Sequence, residues 1–162
     1  MKRLVVLVLI LVIATGLFAT PLWNGTWVGM SMDEVEGLFS DKESIRREYV
    51  DGEGTLSIRD YEDDNFIIKN VSFHFFEDRL IAVQVEVFEW EFIRSFVMIA
   101  KYGPCVDHFS YVDRYSGIQE TWTWINGKIL ITMQADSLGG DGTIIYVDID
   151  SIDVLIPGAN LL

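Results

Sequence analysis

Ser72 and His74 stand two residues apart in Asn70-Val71-Ser72-Phe73-His74-Phe75-Phe76, a run that alternates polar and apolar residues. Residues i and i+2 of a strand share a face. A hydroxyl and an imidazole would then lie side by side, as two members of a nucleophile and base arrangement. No Gly-x-Ser-x-Gly turn surrounds Ser72 to strain and expose it, so the reading stops there. Glu86 and Glu120 are carboxylates that would divide acid and base roles, yet with 25 acidic residues in the chain some pair always suggests itself. Asp148-Ile149-Asp150-Ser151-Ile152-Asp153 carries alternating carboxylates of the kind that bind calcium. It lacks the glycine at the sixth position and has Ala159 where a bidentate glutamate belongs. Asp136 to Gly142 contains Gly-Asp turn chemistry, but only once, at a place where a hairpin loop is needed. The two histidines, His74 and His108, have no second His or Cys at metal-ligand spacing. The residues therefore predict no catalytic set, no metal site and no cofactor, and the chain reads as non-enzymatic.

The start of the chain is more informative. Lys2 and Arg3 lead an apolar run from Leu4 to Ile13, and Ala14-Thr15-Gly16 and Leu17-Phe18-Ala19 follow. That order of charge, apolar stretch and small residues is an export signal. Residues 1–19 are read as the signal peptide, cleaved after Ala19 with Gly16 as a second option, and not as an uncleaved anchor, because the run falls short of the ~20 apolar residues that a membrane span needs. No cysteine lies near the junction, so lipidation of a new N-terminus is closed. The expectation is a periplasmic or secreted protein with no stable membrane anchor after cleavage. Loss of Lys2 and Arg3 moves the net charge from −13 to −15. A body this acidic repels phosphate backbones, which excludes nucleic acid as a partner. Cys105 is the only cysteine, so no internal disulfide forms and stability has to come from packing. Its setting between Gly103-Pro104 and Val106 suits a buried small residue.

The remainder reads as two passes of one pattern, 20–89 and 90–162, each a helix followed by antiparallel strands. Ser31-Met32-Asp33-Glu34 is a capping box, and Met32, Val35, Leu38 and Phe39 form an apolar stripe at helical spacing. Strands are expected at Ile45 to Val50, Thr55 to Tyr61, Phe66 to Phe76 and Leu80 to Phe88. A three-residue loop, Glu77 to Arg79, puts Val71, Phe73 and Phe75 on one face with Ile81, Val83 and Val85; a two-residue loop would mix Gln84 into that face. The second helix, Glu91 to Tyr102, carries Phe92, Phe96 and Ile99 on one side with Ile93, Val97 and Ala100 beside them, and Gly103-Pro104 stops it. Strands then cover Phe109 to Tyr115, Ile118 to Ile125, Lys128 to Ala135 and Thr143 to Ile149. Asn126-Gly127 in a type I′ turn pairs Trp124 with Ile129 and Trp122 with Ile131. The class is α+β, two consecutive helix-plus-four-strand units with an antiparallel sheet and helices on one face. Trp122, Trp124, Phe73, Phe75, Phe92 and Phe96 fall on stripes that the core needs.

Trp27-Val28-Gly29-Met30-Ser31-Met32-Asp33-Glu34-Val35, followed by a strand-rich region, resembles the opening of the SmpA/OmlA (BamE) family of outer-membrane assembly proteins. A helix-plus-four-strands unit used twice, with Lys101-Tyr102-Gly103-Pro104 ending the second helix, is similar to the tandem fold of the β-lactamase inhibitor proteins. The lipidated cysteine of the first family and the disulfides of the second are missing. The resemblance implies an envelope compartment and a role in protein interactions. By register, the sheet face opposite the helices carries Ser72, His74, Phe76, Gln84, Glu86, Phe88, Thr121, Thr123, Thr132 and Gln134. His74, Phe76, Glu86, Phe88, Thr123 and Gln134 are the candidate protein-binding residues, since aromatic groups among polar neighbours make such surfaces. The expected function is an exported bacterial protein-binding or scaffold module whose partner is another envelope or extracellular protein. Its alternatives are a proteinaceous inhibitor of an exported hydrolase and an exported hydrolase with an unrecognised site.

Overall fold

The computed structural model describes residues 20–62, 67–114, 117–136 and 140–152. Residues 1–19, where a signal peptide and its cleavage site are expected, lie outside them, as do Phe66, Tyr115, Asp153 and Ala159.

Ser31 caps helix α1 (Met32–Leu38): its hydroxyl accepts from the Glu34 amide at 3.3 Å, and the Glu34 carboxylate accepts from the Ser31 amide at 2.8 Å. These bonds, the backbone one first, hold the Glu34 carboxyl below its ordinary range. Met32, Val35 and Phe39 are buried, whereas Leu38 is 47% exposed. At 3.6 residues per turn Leu38 falls about 120° round the helix from Met32, on the far flank of Val35. The expected stripe is therefore narrower than its spacing suggested.

The strands are β1 (Ile45–Val50), β2 (Glu53–Glu62), β3 (Ile67–Phe76), β4 (Arg79–Phe88), β5 (Asp107–Asp113), β6 (Gly117–Asn126), β7 (Ile129–Asp136) and β8 (Asp141–Asp148). They form one antiparallel sheet in the order β1-β2-β3-β4-β8-β7-β6-β5. The fold is α+β; the described residues form two main helical segments, one 3-10 turn at Ile149–Ser151 and a single eight-stranded sheet.

Two hairpins differ from expectation in an instructive way. Glu77 and Asp78 both take positive φ and make a two-residue turn that pairs Phe76 with Arg79. The register then shifts between His74 and Phe75, so that Phe75 faces Leu80 and Phe73 faces Val83. Ile81 is the extra residue of a β-bulge. The bulge, not a longer loop, keeps Gln84 off the apolar face. At the second hairpin Gly127, at φ +61, and Lys128 form the turn, so Asn126 pairs with Ile129, Trp124 with Ile131 and Trp122 with Met133. Left-handed backbone at the first central residue alone suits a type II′ turn. The shift is two residues, which leaves every side chain on its predicted face.

The second helical segment, α2 (residues 90–102), is α-helical at Trp90–Phe92, π-helical at Ile93–Met98 and α-helical again at Ile99–Tyr102. A π turn spaces equivalent positions five residues apart. Ile93 and Met98 are accordingly both 1% exposed. Phe92, Phe96 and Ile99, expected on the sheet side, are exposed at 48%, 67% and 43%. The widened turn rotates the 3.6-residue stripe away from the sheet. Phe92 and Phe96 stack on each other in solvent, with ring centroids 5.0 Å apart.

One apolar cluster lies between the sheet and its helices, running from Leu56 and Ile58 on β2 through Val85 and Ile144 to Trp122 and Trp124 on β6. A tight turn at Asn24 and Gly25 folds residues 20–30 so that Trp23 joins Phe39, Tyr61 and Phe73, at centroid distances of 5.2 to 6.2 Å within that group. Trp124 Nε1 donates to the Gly103 carbonyl at 2.9 Å and so ties the end of α2 to the sheet. Cys105 is a free thiol, partly buried against the same cluster.

Candidate functional site: the open face of the sheet

The face away from the helices is ordered by strand register. One row runs Asn70, Glu86, Thr143, Gln134, Thr121 and Phe109 from β3 to β5. The next runs Ser57, Ser72, Gln84, Ile145, Thr132 and Thr123. A third runs Thr55, His74, Ala82, Val147, Leu130 and Ile125. Their centre is almost free of charge, hydroxyls and amides alternating with aliphatic groups, in a protein with 25 acidic residues. With neighbouring strands ~4.8 Å apart, eight strands give a surface about 34 Å across.

All six candidate residues lie on this face, but they do not converge. His74 and Phe76 sit on β3, Glu86 and Phe88 on β4, Gln134 on β7 and Thr123 on β6. Thr123 and His74 are four strand spacings apart, ~19 Å. Phe88 is 43% exposed, and Lys69 Nζ lies 4.4 Å from its ring centroid. Phe76 lines two hollows. One, of about 100 Å³, includes Glu53, Thr55 and His74. The other, of about 590 Å³, includes Arg79, Lys128, Asp148 and Asp150 beyond the edge of the face. There Lys128 and Asp150 pair at 2.5 Å, and the Ser151 hydroxyl donates to the buried Asp148 carboxylate at 2.8 Å. The paired carboxylate holds the Lys128 ammonium above its usual range. Burial depresses the His74 imidazole, which favours its neutral form.

The chemistry sought in sequence is separated by this geometry. Ser72 is buried, bonded to Asn70 Nδ2 at 3.1 Å and 3.3 Å from the Ser57 hydroxyl, within a small polar network on the sheet. Glu86 faces outward with Thr143, whereas Glu120 pairs with Ala135 on the side of Trp122 and Trp124. The two carboxylates therefore lie on opposite faces of the sheet and cannot share a substrate. Among the described residues no three His, Cys, Asp or Glu side chains gather at metal-binding distance. Among them, too, no helix is long and apolar enough to cross a membrane.

Two surfaces had no clear signature in sequence. The exposed Phe92 and Phe96 pair is one, hidden by the π turn. The other lies on the helix side near β5, where the Arg94 guanidinium sits 5.0 Å from the Trp122 ring centroid and 6.0 Å from that of Trp90. The His108 imidazole stacks on Trp122 at 5.1 Å and 2°. Arg94 Nε is buried without a partner among the described residues. His108 and Trp122 become neighbours only through the β5–β6 register.

No protein-family model matches the chain, and no curated protein or solved structure matches it either.

Proposed function

We propose that this chain is an exported, non-enzymatic protein-binding or scaffold module of the bacterial envelope, and that it binds another envelope or extracellular protein through the open sheet face. The observation that carries the reading is the composition of that face. A broad, half-buried field of Ser, Thr, Gln and Asn, with Glu86 as the one carboxylate in its described rows and His74, Phe76 and Phe88 toward its rim, suits a protein surface, where core positions lose charge and aromatics anchor. Its breadth fits a macromolecule better than a small ligand, whose sites are concave. The charged and apolar order of Met1 to Ala19 supports export, with the chain released after Ala19 into the periplasm or medium. The test is affinity capture from an envelope extract with the parent chain and with Phe76→Ala/Phe88→Ala. Loss of a reproducible partner in the double variant is the expected result; an unchanged set of captured proteins would make the surface assignment wrong.

The order of elements favours a second reading, inhibition of an exported hydrolase. Residues 20–89 and 90–162 each place a helical segment before four strands, and the sheet order joins two four-stranded meanders through β4 and β8. This order supports reading the chain as two tandem helix-plus-four-strand units, whose resemblance is to an inhibitor fold. Fold alone is a weak warrant for activity. Titrating the chain against a panel of exported serine hydrolases decides it, since inhibition of none would remove the reading.

A further inference from the structure

We propose that β5 is an acceptor edge that takes up an extended, cationic segment of a partner protein as a ninth strand. The inference stands apart from the open-face reading, because it rests on the backbone edge and not on the face.

β5 ends the sheet and pairs only with β6, so among the described residues its outer row of backbone donors and acceptors has no strand partner. Natural edges are normally blunted by charge, proline or a bulge. β1, at the other end, follows that rule. Three of its six residues are Arg46, Arg47 and Glu48, and Arg47 reaches back to Asp33 at 2.6 Å and to Glu36 on α1. On β5 charge is confined to the two end residues, Asp107 and Asp113. Its register with β6 runs from Asp107 to Asp113 without a shift, and it holds no lysine or proline.

The strand also buries little on either side. Phe109 and Tyr111, toward the open face, are 51% and 54% exposed, and Val112, toward the helix side, is 80% exposed. β5 is held by its ladder and by the stacking of His108 on Trp122. A further strand would satisfy the open backbone edge and cover apolar groups on both faces at once.

Charge selects the occupant. A second copy would bring the Asp107 carboxylate against another edge that carries no lysine or arginine. It would also bring together two bodies of net charge −13 each. A segment with Lys or Arg toward the Asp107 end, and apolar or aromatic residues at alternate positions facing Phe109 and Tyr111, meets complementary groups instead.

The full-length chain would be mixed with a synthetic peptide of about twelve residues, alternating Val and Thr with Lys at both ends, long enough to pair along a seven-residue strand of ~23 Å. Amide exchange over residues 107–113 is expected to slow roughly tenfold, with β1 unchanged. The same peptide N-methylated at alternate amides keeps its charge but loses its donors, and it should give no protection. Tyr111→Lys/Val112→Lys, at two exposed positions, should abolish uptake at an unchanged urea midpoint, while Phe76→Ala/Phe88→Ala should leave it intact. The proposal is overturned if residues 107–113 gain no protection, or if protection falls on β1 or the open face. Equal binding of the N-methylated peptide, or protection that tracks self-association of the chain, would overturn it as well.

Discussion

Gly142 lies on β8 between Val87 of β4 and Ala135 of β7, beneath the start of α2. A methyl group added there would stand 2.7 Å from Trp90 Cβ, 3.4 Å from the Gln134 carbonyl oxygen and 3.5 Å from Met133 Cε. The first contact is the severe one, because a Cβ next to the main chain cannot swing aside as the end of a flexible side chain can. Two effects oppose each other in Gly142→Ala. Removing a glycine from a strand gains ~0.5–1 kcal/mol, and overpacking a core costs ~1–3 kcal/mol. The clash wins, with a net loss of about 1 kcal/mol, or a melting temperature lower by ~2–4 °C for a chain of this size. Gly37 in α1 has nothing within 4 Å of its virtual Cβ, so Gly37→Ala lacks the opposing cost and should gain ~0.5–1 kcal/mol. Thermal unfolding by circular dichroism, with urea titrations to show an unchanged m-value, reads both variants in one protein. If Gly142→Ala matched or exceeded the parent, or if both variants moved in the same direction, the seating of Trp90 on β8 would be wrong.

Phe96→Ala should alter stability by no more than ~0.5 kcal/mol, as expected for an exposed site, whereas Ile93→Ala should cost ~2–5 kcal/mol; a large loss for Phe96→Ala, seen in urea midpoints, would contradict the π-helical register. His74 tests the buried imidazole. Its folded pKa lies below the ordinary 6.5, so the unfolded chain takes up the proton first. Its stabilising effect is complete above about pH 6.5 and is lost as pH falls through the folded pKa. The parent should therefore lose more melting temperature between pH 7.5 and pH 5 than His74→Gln, and parallel profiles would refute this.

Alternation carried most of the sheet. β1 has the predicted limits, Ile45 to Val50, and the Trp122, Trp124 and Met133 face emerged although the Asn126-Gly127 hairpin is offset by two residues. A period of two forgives such an offset, and a one-residue error would have inverted the strand. The bulge at Ile81 was legible only as a conflict, since no simple turn kept Gln84 off the core face without an extra residue. The π turn could not be read from spacing, because Phe92, Phe96 and Ile99 satisfy a 3.6-residue period better than the buried Ile93 and Met98 do. Trp23 and the turn before α1 carry no local signal for a related reason: the packing of Trp23 depends on Phe39, Tyr61 and Phe73, which are distant in sequence. The six candidate binding residues share a face because strand periodicity set it, while the ~19 Å between β3 and β6 follows from a strand order that local pattern does not encode.

The most direct test of the central claim is hydroxyl-radical footprinting of the full-length chain, alone and saturated with the protein it captures from envelope extract. Binding through the open face predicts reduced oxidation of Phe76 and Phe88, with Phe92 and Phe96 on the helix side as reactive as in the free chain. Protection of Phe92 and Phe96 with Phe76 and Phe88 unchanged would contradict it.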